Sequence, residues 1–166
     1  MDTAGRVDFF LDLMSCCNDV AYWCFDDQFA LVSTNGKTNE AFLRAFIIDE
    51  KRSDQLLLHG AKEGAPLVSS MPLGIEWACV FEKSENQRMR IHIIGPLFLS
   101  DVSTRQIETY VGGLPLSPQK QRMIITELTK LPVLPATQFF PYVQMLHYCV
   151  TGNKLPFSDI LHESVP

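Results

Sequence analysis

The sequence predicts an α+β fold, a small antiparallel sheet flanked by helices. Two adjacent segments alternate apolar and polar residues at the two-residue period of half-buried strands. Helical spacing governs the N-terminal segment and everything after the alternating pair. Hairpin signals separate strands from helices, so the helices collect on the faces of the sheet.

Val7 to Cys17 reads as an amphipathic helix, with Phe9, Phe10, Leu13, Met14 and Cys17 on one face. Val20 to Phe25 and Phe29 to Ser33 read as strands joined through the turn Asp26-Asp27-Gln28. Asn35-Gly36 turns the chain again. Thr38 or Asn39 then caps a helix from about Asn39 to Ile47, because either side chain can accept from a free N–H of the first turn. Ser53 or Asp54 caps a short helix through Leu56, Leu57 and Leu58, which Gly60 and Gly64 limit. Pro66 and Pro72 bracket a short strand, Leu67 to Ser69.

The alternating pair follows. Ile75, Trp77, Cys79 and Phe81 face one way, and Glu76, Ala78, Val80 and Glu82 the other. After the polar connection Lys83 to Gln87, Met89, Ile91 and Ile93 oppose Arg88, Arg90 and His92. Glu82 is expected to pair with Arg88 across the turn. Gly95-Pro96 is expected to interrupt the ladder, because proline donates no backbone bond, and Leu97 to Leu99 resumes it. Three helices close the chain. One starts at Asp101 or Ser103 and stops at Gly112-Gly113. A second opens at Ser117-Pro118, with Met123, Ile124, Leu128 and Leu131 inward. The third runs from Thr137 to Thr151 and ends at Gly152. Residues 1–154 thus form one domain, and 155–166 read as a linker stub.

Composition narrows the function classes. A chain of 166 residues, 46% hydrophobic and 20% charged, has the makings of a folded core. It has neither an apolar run of membrane length nor a basic, apolar leader, so a cytoplasmic protein without a membrane partner is expected. Net charge is −5 and the basic residues are scattered, which disfavours direct nucleic-acid binding. The five cysteines (Cys16, Cys17, Cys24, Cys79 and Cys149) are odd in number and form no CxxC, so they read as thiols in apolar settings. Phosphate-loop, GxSxG and HExxH motifs are missing, and His59, His92, His147 and His162 lack metal-ligand spacing. A non-enzyme with no metal and no cofactor is expected.

The candidate binding residues are aromatic or lie beside aromatics. Tyr22, Trp23 and Phe25 share one strand, Trp77, Cys79 and Phe81 another, and His92 lies in the third. Large aromatics beside a few polar groups suit a small-molecule pocket, but an ordinary core requires them too, and spacing alone favours the core. On the last helix, Val143, Leu146, His147 and Val150 form the candidate dimerisation face.

Two segments carry a family resemblance: His92-Ile93-Ile94-Gly95-Pro96-Leu97-Phe98 and Met145-Leu146-His147-Tyr148-Cys149-Val150-Thr151-Gly152, the latter followed by Ser158-Asp159-Ile160. Across roughly residues 5 to 160 the chain resembles the N-terminal regulatory domain of AraC-type bacterial transcription regulators. The resemblance implies a GAF/PAS-like sensor domain, a small-molecule effector and a homodimer. It also implies that DNA is contacted only through a C-terminal helix-turn-helix domain that this chain does not contain. No ligand and no set of functional residues comes with it. A dimerisation or protein-interaction module with no small-molecule ligand is the alternative.

Overall fold

Side-chain alternation along the strands decides which residues meet which helices. The computed structural model describes residues 1–86 and 88–165. In chain order its elements are α1 (Thr3–Cys17), β1 (Tyr22–Phe25), β2 (Leu31–Thr34), α2 (Glu40–Phe42), which widens into a π turn over Leu43–Ile47, α3 (Glu50–Lys62), β3 (Leu67–Met71), β4 (Ile75–Lys83), β5 (Met89–Phe98), α4 (Thr104–Gly112), α5 (Pro118–Thr129), α6 (Ala136–Thr151) and β6 (Leu161–Ser164). The sheet order is β2-β1-β5-β4-β3-β6. The fold is α+β, with helices on both faces of the sheet.

One face of the sheet carries Trp23, Phe25, Ile75, Trp77, Cys79, Phe81, Ile91 and Ile93, packed with residues of α2 to α5. The other carries Tyr22, Cys24, Ala78, Val80 and Ile94, packed beneath α1 and α6. We call these the inner and outer faces. Because neighbouring residues of a strand point to opposite faces, the sequence sorts itself between them without further instruction.

Five strands are antiparallel, as the alternation implies. The sixth, β6, lies parallel to β3, with Ser69 opposite Glu163. The segment expected to be a linker stub is therefore folded onto the domain, and Leu155 and Ile160 are buried. Leu161-His162-Glu163-Ser164 shows no strand signal by composition, because its ladder comes from a distant edge rather than from its own propensity. Pro166 and Gln87, the ends of the expected linker and of the polar connection, lie outside the described residues.

Capping accounts for where the helices start. Asp2, Asn39, Asp49, Ser103 and Ser117 each accept from a first-turn N–H, and Ser103 and Gln106 do so reciprocally. Asp49, not Ser53 or Asp54, opens α3, with its carboxylate 2.8 Å from Arg52 N. Gly60 does not limit that helix but lies inside it, where a Cβ would strike Met89 and Phe81.

The β4–β5 ladder is interrupted at Gly95-Pro96, as expected: Glu76 pairs with Leu97 and Ala78 with Ile94, which leaves Gly95 and Pro96 out of the pairing. β5 passes through this pair, which has a cis peptide bond, and the β4–β5 register shifts between Glu76 and Ala78. Gly95 has φ +118°, and a Cβ there would lie 2.9 Å from Trp77 Cβ. Only glycine fits such a backbone at that separation. Trp23 Nε1 donates to Gly95 O at 2.8 Å, tying β1 to the same point. No helix among the described residues is long and apolar enough to cross a membrane.

Candidate functional site

The outer face carries a line of hydrogen-bonded polar side chains. β1 and β5 place Cys24 opposite His92, and β4 and β5 place Glu82 opposite Arg90. Glu82 and His92 therefore share a face on adjoining strands. His92 Nδ1 lies 2.7 Å from Tyr22 Oη, and its Nε2 lies 2.7 Å from Glu82 Oε1. Glu82 thus bonds His92 rather than Arg88, because the strand register puts the ring within reach and Arg88 beyond the paired residues.

This line opens on a cleft of about 220 Å³ between the sheet and the first turns of α1. Thr3, Asp8, Cys24, Ser33, Thr34, Asn35 and Arg90 complete its polar lining. Asn35 fixes one wall. Its Oδ1 accepts from Tyr22 N at 3.0 Å and its Nδ2 donates to Val20 O at 2.9 Å. Among the described residues no three His, Cys, Asp or Glu side chains are grouped to hold a metal ion.

Charge on the line follows from these contacts. His92 is 4% exposed, and that burial alone disfavours the imidazolium. The Cys24 sulfur beside the ring and the Glu82 carboxylate on Nε2 outweigh it, and the His92 pKa is pushed up to about 9. The hydrogen bond from His92 holds the Glu82 carboxyl below its ordinary value, against its partial burial. Burial, followed by the neighbouring Cys24, raises the Tyr22 phenol. At neutral pH both ring N–H groups donate, one to Glu82 and one to Tyr22 Oη. A protonated imidazole is no general base. The cleft therefore offers the His92 imidazolium with both N–H groups engaged, the Arg90 guanidinium, the carboxylates of Asp8 and Glu82, and several neutral polar groups.

Of the residues expected to bind a ligand, Tyr22 and His92 reach this cleft. Trp23, Phe25, Trp77, Cys79 and Phe81 are on the inner face, where they form core and none lines the cleft. Burial pushes the Cys79 thiol up to about 12. The expected dimerisation face is likewise turned inward. Val143, Leu146 and Val150 are buried against the outer face, because an apolar helical stripe covers the nearest apolar sheet. His147 is half-buried with Nδ1 lacking a partner, and burial lowers its pKa. The large apolar side chains that α6 exposes are Met145 and Tyr148, beside Phe9 and Leu13 of α1.

Glu82, Asn35 and Arg52 escaped the sequence reading. Glu82 was legible, since strand parity alone places it beside His92. Arg52 was not, because nothing in its local sequence reports Trp77. Its guanidinium lies 5.3 Å from the centre of a Trp77 ring and pairs with Glu163. Comparison with protein-family models, curated proteins and solved structures finds no match to this chain.

Proposed function

We propose that this chain is a cytoplasmic, non-catalytic, ligand-sensing and dimerising regulatory domain of an AraC-type transcription regulator. The observation that carries the reading is the Tyr22–His92–Glu82 line open to the α1 cleft. A buried charged group held beside a small cleft is a polar recognition site with its geometry fixed in advance. Two further features support it. The antiparallel order β2-β1-β5-β4-β3, with α2 and α3 in the connection between its two outer strands, suits a GAF/PAS-like sheet. The two segments that carry the family resemblance are β5 and α6, which hold His92 and cover its face. The acidic net charge of −5 fits a domain that leaves DNA contact to another part of a regulator.

A thermal-shift screen of small polar metabolites tests the effector. A ligand that stabilises the wild type, and stabilises Tyr22→Phe and His92→Gln at least about tenfold more weakly, supports the reading. The absence of any stabilising ligand, or equal stabilisation of all three proteins, overturns it.

The second reading, a dimerisation module with no ligand, is favoured by the exposed Phe9, Leu13, Met145 and Tyr148. They border an apolar groove of about 670 Å³ between α1 and α6. A two-helix face is covered symmetrically by a second copy, giving a four-helix layer. Sedimentation of the wild type and of Leu13→Ser/Met145→Ser checks this. A wild type that remains monomeric at high concentration sinks it.

A further inference from the structure

On the inner face, at the opposite end of the sheet, Glu163, Ser69 and Trp77 form one cross-strand row over β6, β3 and β4. Arg52 reaches down from α3 onto this row. Its guanidinium covers Trp77 and pairs with the Glu163 carboxylate, which also accepts from Ser69 Oγ at 3.2 Å. Arg52 Nη1 donates to Gln55 Oε1 at 3.1 Å and Nη2 is the atom in the Glu163 ion pair, whereas the buried Arg52 Nε and Trp77 Nε1 have no acceptor among the described residues. Trp77 is fully buried, so water does not satisfy its N–H from bulk solvent. A planar guanidinium with an unused donor, over an aromatic ring, is built to bind a carboxylate at more than one point.

Beside Arg52 opens a cleft of about 500 Å³. Phe46, Ile47, Met71, Tyr110 and Leu114 give it an apolar wall. Among the described residues its charged lining is Lys51 and Arg52 against Asp49 and Glu163, which cancel. With Glu163 turned out, one net positive charge remains. That balance matches a single negative charge and opposes a dianion, because Asp49 caps the same helix turn.

We propose that this cleft binds a monocarboxylic acid with an apolar body, anchored by Arg52, and that Glu163 is a built-in competitor for the anchor. The ligand carboxylate takes the place of the Glu163 carboxylate on the guanidinium, and its apolar part lies against Phe46 and Met71. Occupancy frees the side chain that ties β6 to α3. The site is separate from the α1 cleft and stands or falls without it.

Calorimetry with phenylacetate is the test, with phenylacetamide as the uncharged control and inorganic phosphate as the alternative anion, all at matched ionic strength. Glu163→Gln removes the competitor, so it should bind phenylacetate about tenfold or more tighter than the wild type. Arg52→Lys keeps the charge but not the fork, so it should bind about tenfold or more weaker than Glu163→Gln when both changes are combined. In the wild type, phenylacetate should speed hydrogen exchange at Leu161 and Val165, whose N–H groups donate to Pro66 O and Ser70 O. That readout needs no variant. Equal phenylacetate affinity with and without Glu163, insensitivity to Arg52→Lys, or equal binding of phenylacetamide or phosphate overturns the proposal. Failure of phenylacetate both to bind Glu163→Gln and to alter wild-type exchange overturns it as well.

Discussion

His92 is the residue whose charge the fold sets most firmly. Its pKa rises from the ordinary 6.5 to about 9, so its stabilising contribution is complete below about pH 6.5 and is lost as pH rises through 9. Glu82 has the opposite sign. Its folded value is depressed, so its contribution is present above the ordinary carboxyl range and is lost as pH falls through the folded value. An NMR titration should place the His92 imidazole near 9 in the wild type and clearly lower in Glu82→Gln. Urea denaturation should show stability falling between pH 6.5 and 9, and falling less in that variant. An unshifted His92 in the wild type would remove the basis for a charged recognition line. Strand parity made half of this site readable beforehand, since it names the face of each side chain. It did not say which face would be dry. The aromatic set read as a possible pocket is split by parity, Tyr22 to one side and Trp23, Phe25, Trp77 and Phe81 to the other, and the inner side filled with core.

Helices were the most legible elements, because capping residues and apolar stripes are local signals. Even so, α1 carries two stripes rather than one. Val7, Phe10 and Met14 enter the core, whereas Phe9 and Leu13 remain exposed. Phe10→Ala should cost about 3–5 kcal/mol in chemical denaturation. Phe9→Ala should stay within about 0.5 kcal/mol in the monomer. Helix α3 offers a second check. Replacing Gly60 by Ala gains about 1 kcal/mol of helix propensity. The added methyl meets Met89 and Phe81 on β5 and β4, and overpacking of that kind costs about 1–3 kcal/mol. We expect the clash to win, giving a net loss of stability and a lower melting temperature. The strand β6 was illegible at this scale, since an edge strand held by partners some ninety residues away leaves no periodic trace in four residues.

For the whole molecule, the boundary at residue 154 is the expectation that changes most. A protein cut there loses β6, the burial of Leu155 and Ile160, and the Phe157 ring set edge-on against Phe140 at 5.2 Å. Deleting residues 155–166 should therefore lower unfolding stability by about 3–5 kcal/mol. Unchanged stability on denaturation would show that the segment is an appendage after all. The α+β class and the element order as far as α6 were readable in advance, because they follow from periodicities that span many residues; β6 and its parallel pairing with β3 were not. The contacts of Arg52 were not, because they depend on how three distant segments meet. Gly95 belongs to the same long-range category, with a useful difference. Its close approach is to the Cα and Cβ of residue 77 and the carbonyl of Glu76, atoms that almost any residue there supplies, so a distant relative that keeps this backbone must keep glycine at 95 whatever side chain stands at 77. That glycine is a recognition key for ancestry: it can be sought in an alignment even after the surrounding apolar residues have been exchanged beyond recognition.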